Sequence, residues 1–478
     1  MVKDILKKVD EVNANGPFAP TWDSLRQFKT PTWLMNDKFG IFIHWGLYAI
    51  PAFGSEWYPR LMYQQGSPEY EHHIATYGPH AQFGYKDFIP QFTAPNFDAK
   101  EWIDLFKASG ARYVVPVAEH HDGFQMYKSD LSLFNAYEMG PCRDVLGELH
   151  GEMDKQGLTR GLSSHRIEHW WFLSGGRDFP SDILDPEFAD FYGPCGPSPK
   201  DNDDKIYEGG ITEEFMDDWL ARCVELVDNY RPKMLYFDWW IKVNPMREHL
   251  KRFVAYYYNR GAQWGEEVAV VYKVQGLEPD MAVFDVERGQ LADTRYPFWQ
   301  SDTALARNSW GYTENQSWKD ADEVIGDLCD IVSKNGALLM NVGPKPDGTI
   351  HEEDRRLLLA IGDWLKVNGE AIYGTSPFAV YGEGPTKIVE GGFTDKEKRG
   401  YTPKDIRFTT KGGTLYAIAL GAAEDGVTVI ETLAKGAFHA FDIKKVSLLT
   451  GEDLPFTQDG NALRITVKAN GPFAMKIE

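Results

Sequence analysis

No segment of the chain stays apolar for the ~20 residues a membrane-spanning helix requires, so no membrane partner is expected. Cysteine is scarce. Cys142, Cys195, Cys223 and Cys329 show no CxxC or Cys/His spacing, which argues against a disulfide framework and a thiolate zinc site and points to four reduced thiols. Positive charge is also short: 50 Lys and Arg face 71 Asp and Glu, leaving a net charge of -21 that repels phosphate backbones. Nucleic acid is therefore not an expected partner. The N-terminus, MVKDILKKVDEVNANG, is charged from its third residue and has no apolar h-region. That points to a cytoplasmic protein, or to a periplasmic or secreted one whose leader has been removed.

What the chain does have is length and aromatic rings. Its 478 residues exceed one ordinary compact core, so a large domain and a smaller one are expected. Hydrophobic residues (43%) and charged residues (25%) stand at globular proportions. Fifteen Trp, 23 Tyr and 28 Phe suit carbohydrate recognition, because the apolar face of a pyranose packs on flat rings, but they equally suit a large core.

From about residue 38 to 367, short apolar runs alternate with helical patterns, the rhythm of parallel strands joined by crossover helices. The expected strands are 38–46, 111–120, 159–165, 233–240, 268–273, 282–287 and 337–343, and the expected helices 98–109, 143–156, 212–229, 318–334 and 352–367. Each strand ends in polar or aromatic groups, as a (β/α) barrel with its site at the strand C-termini requires. An open doubly wound sheet has the same alternation. After Gly374 the runs 414–420, 427–433, 446–450 and 462–468 are short, alternating and punctuated by turn residues, the pattern of an antiparallel β-sandwich. The partition expected is 1–370 and 371–478.

The chemistry-bearing segments lie at those strand ends. In LYFDWW, Asp238 closes an apolar strand beside Trp239 and Trp240, where a glycosidase would place the carboxylate that attacks an anomeric carbon, although an Asp there could equally cap a helix. AVFDVERG offers a second carboxyl: Asp285 and Glu287 share a face of the strand and Glu287 reaches further out, so Glu287 is the acid/base candidate. Carboxyls about 5–5.5 Å apart imply retention of configuration, and ~6.5–9.5 Å implies inversion. FGIFIHWG contributes His44 and Trp45, GSEWYPR contributes Glu56 and Trp57, and AEHHDGF contributes His120, His121, Asp122 and Phe124 as hydroxyl-binding and ring-stacking groups. On a strand, His120 and His121 would point to opposite faces, which disfavours joint metal binding. A metallohydrolase reading on His44, His120, His121 and Asp122 remains an alternative.

The ordered strings KFGIFIHWG, SEWYPR, EHHDGF, LYFDWW, NSWGY and KNGALLMNVGPKPDGTI, followed by GEAIYGT, closely resemble glycoside hydrolase family 29, the α-L-fucosidases, over residues 39–375. The resemblance implies a (β/α)8-like barrel followed by a C-terminal antiparallel β-sandwich, and a retaining exo-hydrolase of terminal α-L-fucose with no metal or cofactor. By the same resemblance Asp238 is the nucleophile, His44, His120 and His121 are pocket histidines, and Trp57 and Trp310 are pocket tryptophans, with core packing the alternative for the two tryptophans. A tyrosine pair and serine common in the family are replaced here by GLSSHR, 161–166. That segment and VERG resemble the branch acting on α-1,3/1,4-linked fucose. His165 is the expected substitute for the tyrosine, with a supporting role for Glu168 as the alternative. Glu287 is the expected acid/base, and Glu56, or Asp302 in a loop, are the alternatives. KNGALLMNVGPKPDGTI reads as barrel closure and turn chemistry. The implied partner is an oligosaccharide bearing terminal fucose, with the oligomeric state left open. Competing readings are a non-catalytic carbohydrate-binding protein and a neighbouring exo-glycosidase such as an α-L-galactosidase.

Overall fold

The computed structural model describes residues 1–196, 210–278 and 280–478. Eight parallel strands close into a barrel in chain order. They are β1 (Phe39–Ile43), β2 (Tyr113–Glu119), β3 (Thr159–Ser164), β4 (Met234–Phe237), β5 (Ala269–Tyr272), β6 (Val283–Glu287), β7 (Trp299–Ala304) and β8 (Gly336–Val342). Closure is made by β8 against β1, with Leu338 opposite Phe39 and Val342 opposite Ile43. Strands β1, β2, β4, β5 and β8 are buried at every residue, which is why they read as continuous apolar runs rather than alternating ones.

Strand β7 was not among the expected strands, and Asp302 lies within it rather than in a loop. Its sequence, WQSDTA, is buried throughout yet mostly polar, so it lacks the apolar run that marks its neighbours. Its polar groups bond to residues distant in the chain. The Tyr113 hydroxyl donates to Gln300 Oε1 at 3.2 Å and Ser301 Oγ donates to the Gly289 carbonyl at 2.6 Å.

Helices Ala99–Ala108, Val145–Gln156, Glu213–Tyr230, Arg247–Trp264, Ala321–Ser333 and Glu352–Asn368 surround the barrel. The first shows the local logic. Asp98 accepts hydrogen bonds from the amides of Lys100 and Glu101, and Trp102, Ile103, Leu105 and Phe106 turn one face inward. Helix Arg247–Trp264 escaped the sequence reading because it is covered on its outer side as well. The N-terminal helix Val2–Asn15 lies against it, with Asn13 Nδ2 donating to the Arg252 carbonyl at 2.9 Å, so the three successive tyrosines 256–258 are all buried and no single apolar stripe appears. Among the described residues no helix occupies the crossovers β5–β6 or β6–β7.

Beyond the barrel, β9 (Ser376–Glu383), β10 (Ile406–Lys411), β11 (Thr414–Ala419), β12 (Val427–Ile430), β13 (Val446–Leu448), β14 (Phe456–Gln458), β15 (Leu463–Thr466) and β16 (Phe473–Ile477) form two antiparallel sheets. Their orders are β13-β16-β11-β10-β9 and β12-β15-β14. The β10–β11 hairpin turns on Gly412 and Gly413 at φ 58° and 86°, a pair of left-handed conformations that glycine adopts without strain. Ile406, Phe408, Ile430, Leu463, Ile465 and Met475 form a core separate from that of the barrel.

A buried ion cluster ties the two parts together. Arg407 Nε on β10 lies 2.6 Å from Asp330 Oδ1 of helix Ala321–Ser333, and Lys334 Nζ lies 2.7 Å from the other oxygen. Arg407→Ala should lower unfolding free energy by about 3 kcal/mol, since it removes one partner from a buried carboxylate. A urea unfolding midpoint equal to wild type would refute this.

Candidate active site

Every barrel strand delivers a side chain to the same end. His44 follows β1, His120 and His121 follow β2, His165 follows β3, Asp238 follows β4, Lys273 follows β5, Glu287 ends β6, Asp302 lies on β7 and Asn341 on β8. These are the C-terminal ends, where the loops of a (β/α) barrel leave a concave mouth. A cavity of about 220 Å³ opens there, lined by all nine residues expected from the sequence: Asp238, Glu287, His44, Glu56, Trp57, His120, His121, His165 and Trp310. Its volume accommodates about one sugar ring.

Asp238 faces the cavity between two imidazoles. His121 Nε2 and His165 Nδ1 each lie 3.3 Å from its Oδ2. Burial alone would raise its pKa, but those two imidazoles and the Lys273 charge outweigh burial and hold it well below the ordinary carboxylate range. His121 is in turn held from behind, its Nδ1 3.0 Å from the His165 carbonyl and 3.4 Å from Glu168 Oε2. Burial works against a charge on His121, yet Glu168 and Asp238 together lift it to about 9. Burial depresses the other three rings, His44, His120 and His165, so they face the cavity as neutral donors and acceptors.

Glu287 has the opposite environment. Burial, reinforced by the negative charges of Asp238 and Asp302 and opposed by Lys273, raises its carboxyl to about 7. Trp239 Nε1 donates to its Oε2, and Lys273 Nζ lies 3.2 Å from the same atom. The Lys273 ammonium is the hub of this side of the site, 3.1 Å from Asp285 and 3.0 Å from Asp302 as well. Burial would lower it, but three carboxylates keep it well above its ordinary value.

Two alternative acids are committed elsewhere. Glu56 Oε2 accepts from Ser309 Oγ at 3.1 Å and from the Trp310 amide at 2.9 Å, which fixes the loop carrying Trp310. Asp302 accepts from the Tyr236 hydroxyl at 2.7 Å while bound to Lys273. The Trp310 ring stacks on His44 at 5.1 Å, and His44 Nδ1 donates to Asn341 Oδ1 at 2.7 Å. Asn341 Nδ2 donates to the Trp310 carbonyl at 2.7 Å, so the segment that closes the barrel also orients a pocket histidine.

Three details differ from the sequence reading. His120 and His121 do not point to opposite faces: the strand ends at Glu119, the chain turns, and both rings line the cavity with centroids 4.2 Å apart. Asp122 points away, its Oδ2 accepting from the Tyr85 hydroxyl at 2.7 Å, and so leaves the proposed metal set. Trp45 and Phe124 are core residues, the former packed on Trp102 at 4.9 Å. Close packing does permit a metal on other combinations, since ligand atoms of His44, His120 and His165, or of His121, His165 and Asp238, lie within 4.8 Å of one another.

Lys273, Tyr236, Trp239 and Phe393 also line the cavity and were not expected there. Lys273 had a readable signal, a cation ending an apolar strand. Phe393 had none, because it comes from the segment between β9 and β10.

A closed barrel whose mouth sets an ionised carboxylate and a protonatable one around a sugar-sized, ring-walled hollow is the arrangement of a glycoside hydrolase. The α-L-fucosidase family model matches residues 5–370. Human tissue alpha-L-fucosidase is 30% identical over 429 residues, covering 87% of this chain and 81% of its own length. Human plasma alpha-L-fucosidase is 33% identical over 371 residues, covering 75% and 72%. The structure of the Thermotoga maritima alpha-fucosidase in complex with fucose superposes with a TM-score of 0.76 at 32% identity, covering 96% of this chain and 100% of that one. The chain belongs to the α-L-fucosidase family.

Proposed function

We propose that the chain is a retaining exo-α-L-fucosidase in which Asp238 attacks the anomeric carbon and Glu287 protonates the departing oxygen. The bond to the leaving group breaks as the Asp238–fucosyl ester forms. Glu287, now ionised, takes a proton from a water molecule as the water oxygen attacks the anomeric carbon and displaces the Asp238 carboxylate, which leaves Glu287 protonated for the next cycle. One observation carries this reading: two carboxyls on one cavity are driven in opposite directions, Asp238 well below its ordinary value and Glu287 up to about 7. The Thermotoga maritima enzyme has been crystallised both with fucose and with a mechanism-based inhibitor, which agrees with a covalent route. His44, His120, His121 and His165 would bind the sugar hydroxyls, and Trp57 and Trp310 would flank the ring. The decisive test is NMR of the first product formed from an aryl α-L-fucoside. Retention predicts α-L-fucose before mutarotation, and initial β-L-fucose would overturn it.

The pH profile follows from the same environments. Glu287 must be protonated to act, so kcat/KM should fall above pH about 7, by about tenfold per unit once the group is ionised. Trp239→Phe removes a donor that favours the ionised form and should move this limb to higher pH. An unmoved limb would assign the titration to another group. The mechanism needs no metal, so dialysis against EDTA should leave kcat/KM unchanged, whereas loss of activity restored by a divalent cation would favour the histidine cluster as a metal centre.

For the leaving group we propose α-1,3- and α-1,4-linked fucose on branched glycans. Support comes from GLSSHR and VERG, whose His165 and Glu287 both reach the cavity. Fucose release from defined α-1,2-, α-1,3-, α-1,4- and α-1,6-linked oligosaccharides tests it, and faster release from α-1,2 or α-1,6 linkages would refute it.

A further inference from the structure

The unit that follows the barrel reaches back into the mouth of the cavity. Between β9 and β10 the chain returns to the loop after β6, where the Phe393 amide donates to the Glu287 carbonyl at 2.8 Å and the Thr394 amide to the Arg288 carbonyl at 2.8 Å. The Gly391 amide donates to the Gln290 carbonyl at 3.0 Å. Asp395 anchors this return. Its buried carboxylate lies 3.2 Å from Arg288 Nε and 2.6 Å from Lys319 Nζ. Gly289 makes the approach possible, since a Cβ there would come 1.8 Å from the Gly391 carbonyl oxygen.

This anchoring presents one ring. Phe393 is 47% exposed, adopts a left-handed backbone at φ 58° that a residue with a side chain normally avoids, and lies on the cavity wall. Its ring plane is within 16° of that of Trp239, with centroids 6.5 Å apart. Trp239 is itself held by its bond to Glu287 and by the Lys242 ammonium 4.8 Å from its ring centroid. Packing does not explain a strained, half-exposed phenylalanine aligned with a tryptophan, whereas binding of a flat apolar surface does.

We propose that Trp239 and Phe393 form the subsite for the sugar unit to which the fucose is attached, gripping the apolar face of a pyranose ring. This rests on Glu287 being the acid. The oxygen that Glu287 protonates belongs to that sugar, so the sugar must lie beside Glu287, and both residues are tied to it, Trp239 by its indole N–H to the carboxyl and Phe393 by its backbone amide to the peptide carbonyl. The C-terminal unit thus contributes to leaving-group recognition.

The test compares a fucosylated disaccharide with α-L-fucosyl fluoride, whose leaving group is one atom and cannot reach the subsite. In Phe393→Ala the ratio of kcat/KM for the disaccharide to that for the fluoride should fall about five- to tenfold, and Phe393→Trp should restore it. An unchanged ratio in Phe393→Ala overturns the subsite, as does a fall that Phe393→Trp fails to restore. Failure of the wild-type protein to hydrolyse the fluoride would instead overturn the hydrolase reading itself.

Discussion

Asp238→Gly is expected to lower kcat/KM on an aryl α-L-fucoside by about a thousandfold or more, the loss of roughly 4 kcal/mol of transition-state stabilisation. The fold should survive. Asp238 follows a short strand and its side chain pairs with His121 and His165 at the cavity wall, with no part in the hydrophobic core. Without the carboxylate no fucosyl ester forms, and the vacated space admits a small anion. Azide should then restore turnover on an activated substrate and yield β-L-fucosyl azide, since a single displacement inverts the centre. A variant within about tenfold of wild type, with no azide adduct, would remove Asp238 from the reaction. His121→Phe offers a graded comparison. It deletes one of the two imidazoles that hold Asp238 ionised, so the acid limb of the pH profile should move upward while turnover persists at neutral pH.

Glu287→Ala should produce an effect that depends on the leaving group. For a natural oligosaccharide, whose departing alkoxide needs a proton, kcat/KM should fall by about 10²- to 10⁴-fold. For α-L-fucosyl fluoride the first step needs little assistance and the loss should be much smaller. Azide should accelerate the variant and give α-L-fucosyl azide, because the ester on Asp238 still forms and is then displaced. The opposite anomers from the two variants separate the two roles more sharply than either rate loss. The basic limb should also vanish, since Glu287 is the group raised to about 7. Equal losses on both substrates would mean that Glu287 acts on the sugar rather than on its leaving group.

Much of this site could be read from the chain because barrel chemistry follows strand ends. His44, His165, Asp238 and Glu287 each lie at or just past the end of a strand recognisable from its apolar run. Glu56 and Trp310 lie outside strands and entered through the resemblance and their motifs, and the structure explains their nearness, since one holds the amide of the other. The alternation rule failed for His120 and His121 because it holds only while the chain is extended, and β2 stops one residue before them. Strand β7 was missed for a related reason. Its polar side chains find hydrogen-bond partners elsewhere in the chain, so burial does not require apolarity.

The sequence by itself determined the alternation of strands and helices, the antiparallel unit after the barrel, and the residue types that close each strand. These are local properties, set by side-chain periodicity and turn chemistry over a few residues. Only the tertiary structure decided that Lys273 would sit among Asp285, Glu287 and Asp302, that Asn341 would orient His44, and that a phenylalanine from beyond the barrel would stand beside Trp239. Such meetings depend on how the strands close and stagger, and the pKa values that divide the two carboxyls arise from charges brought near through space, which spacing along the chain does not encode.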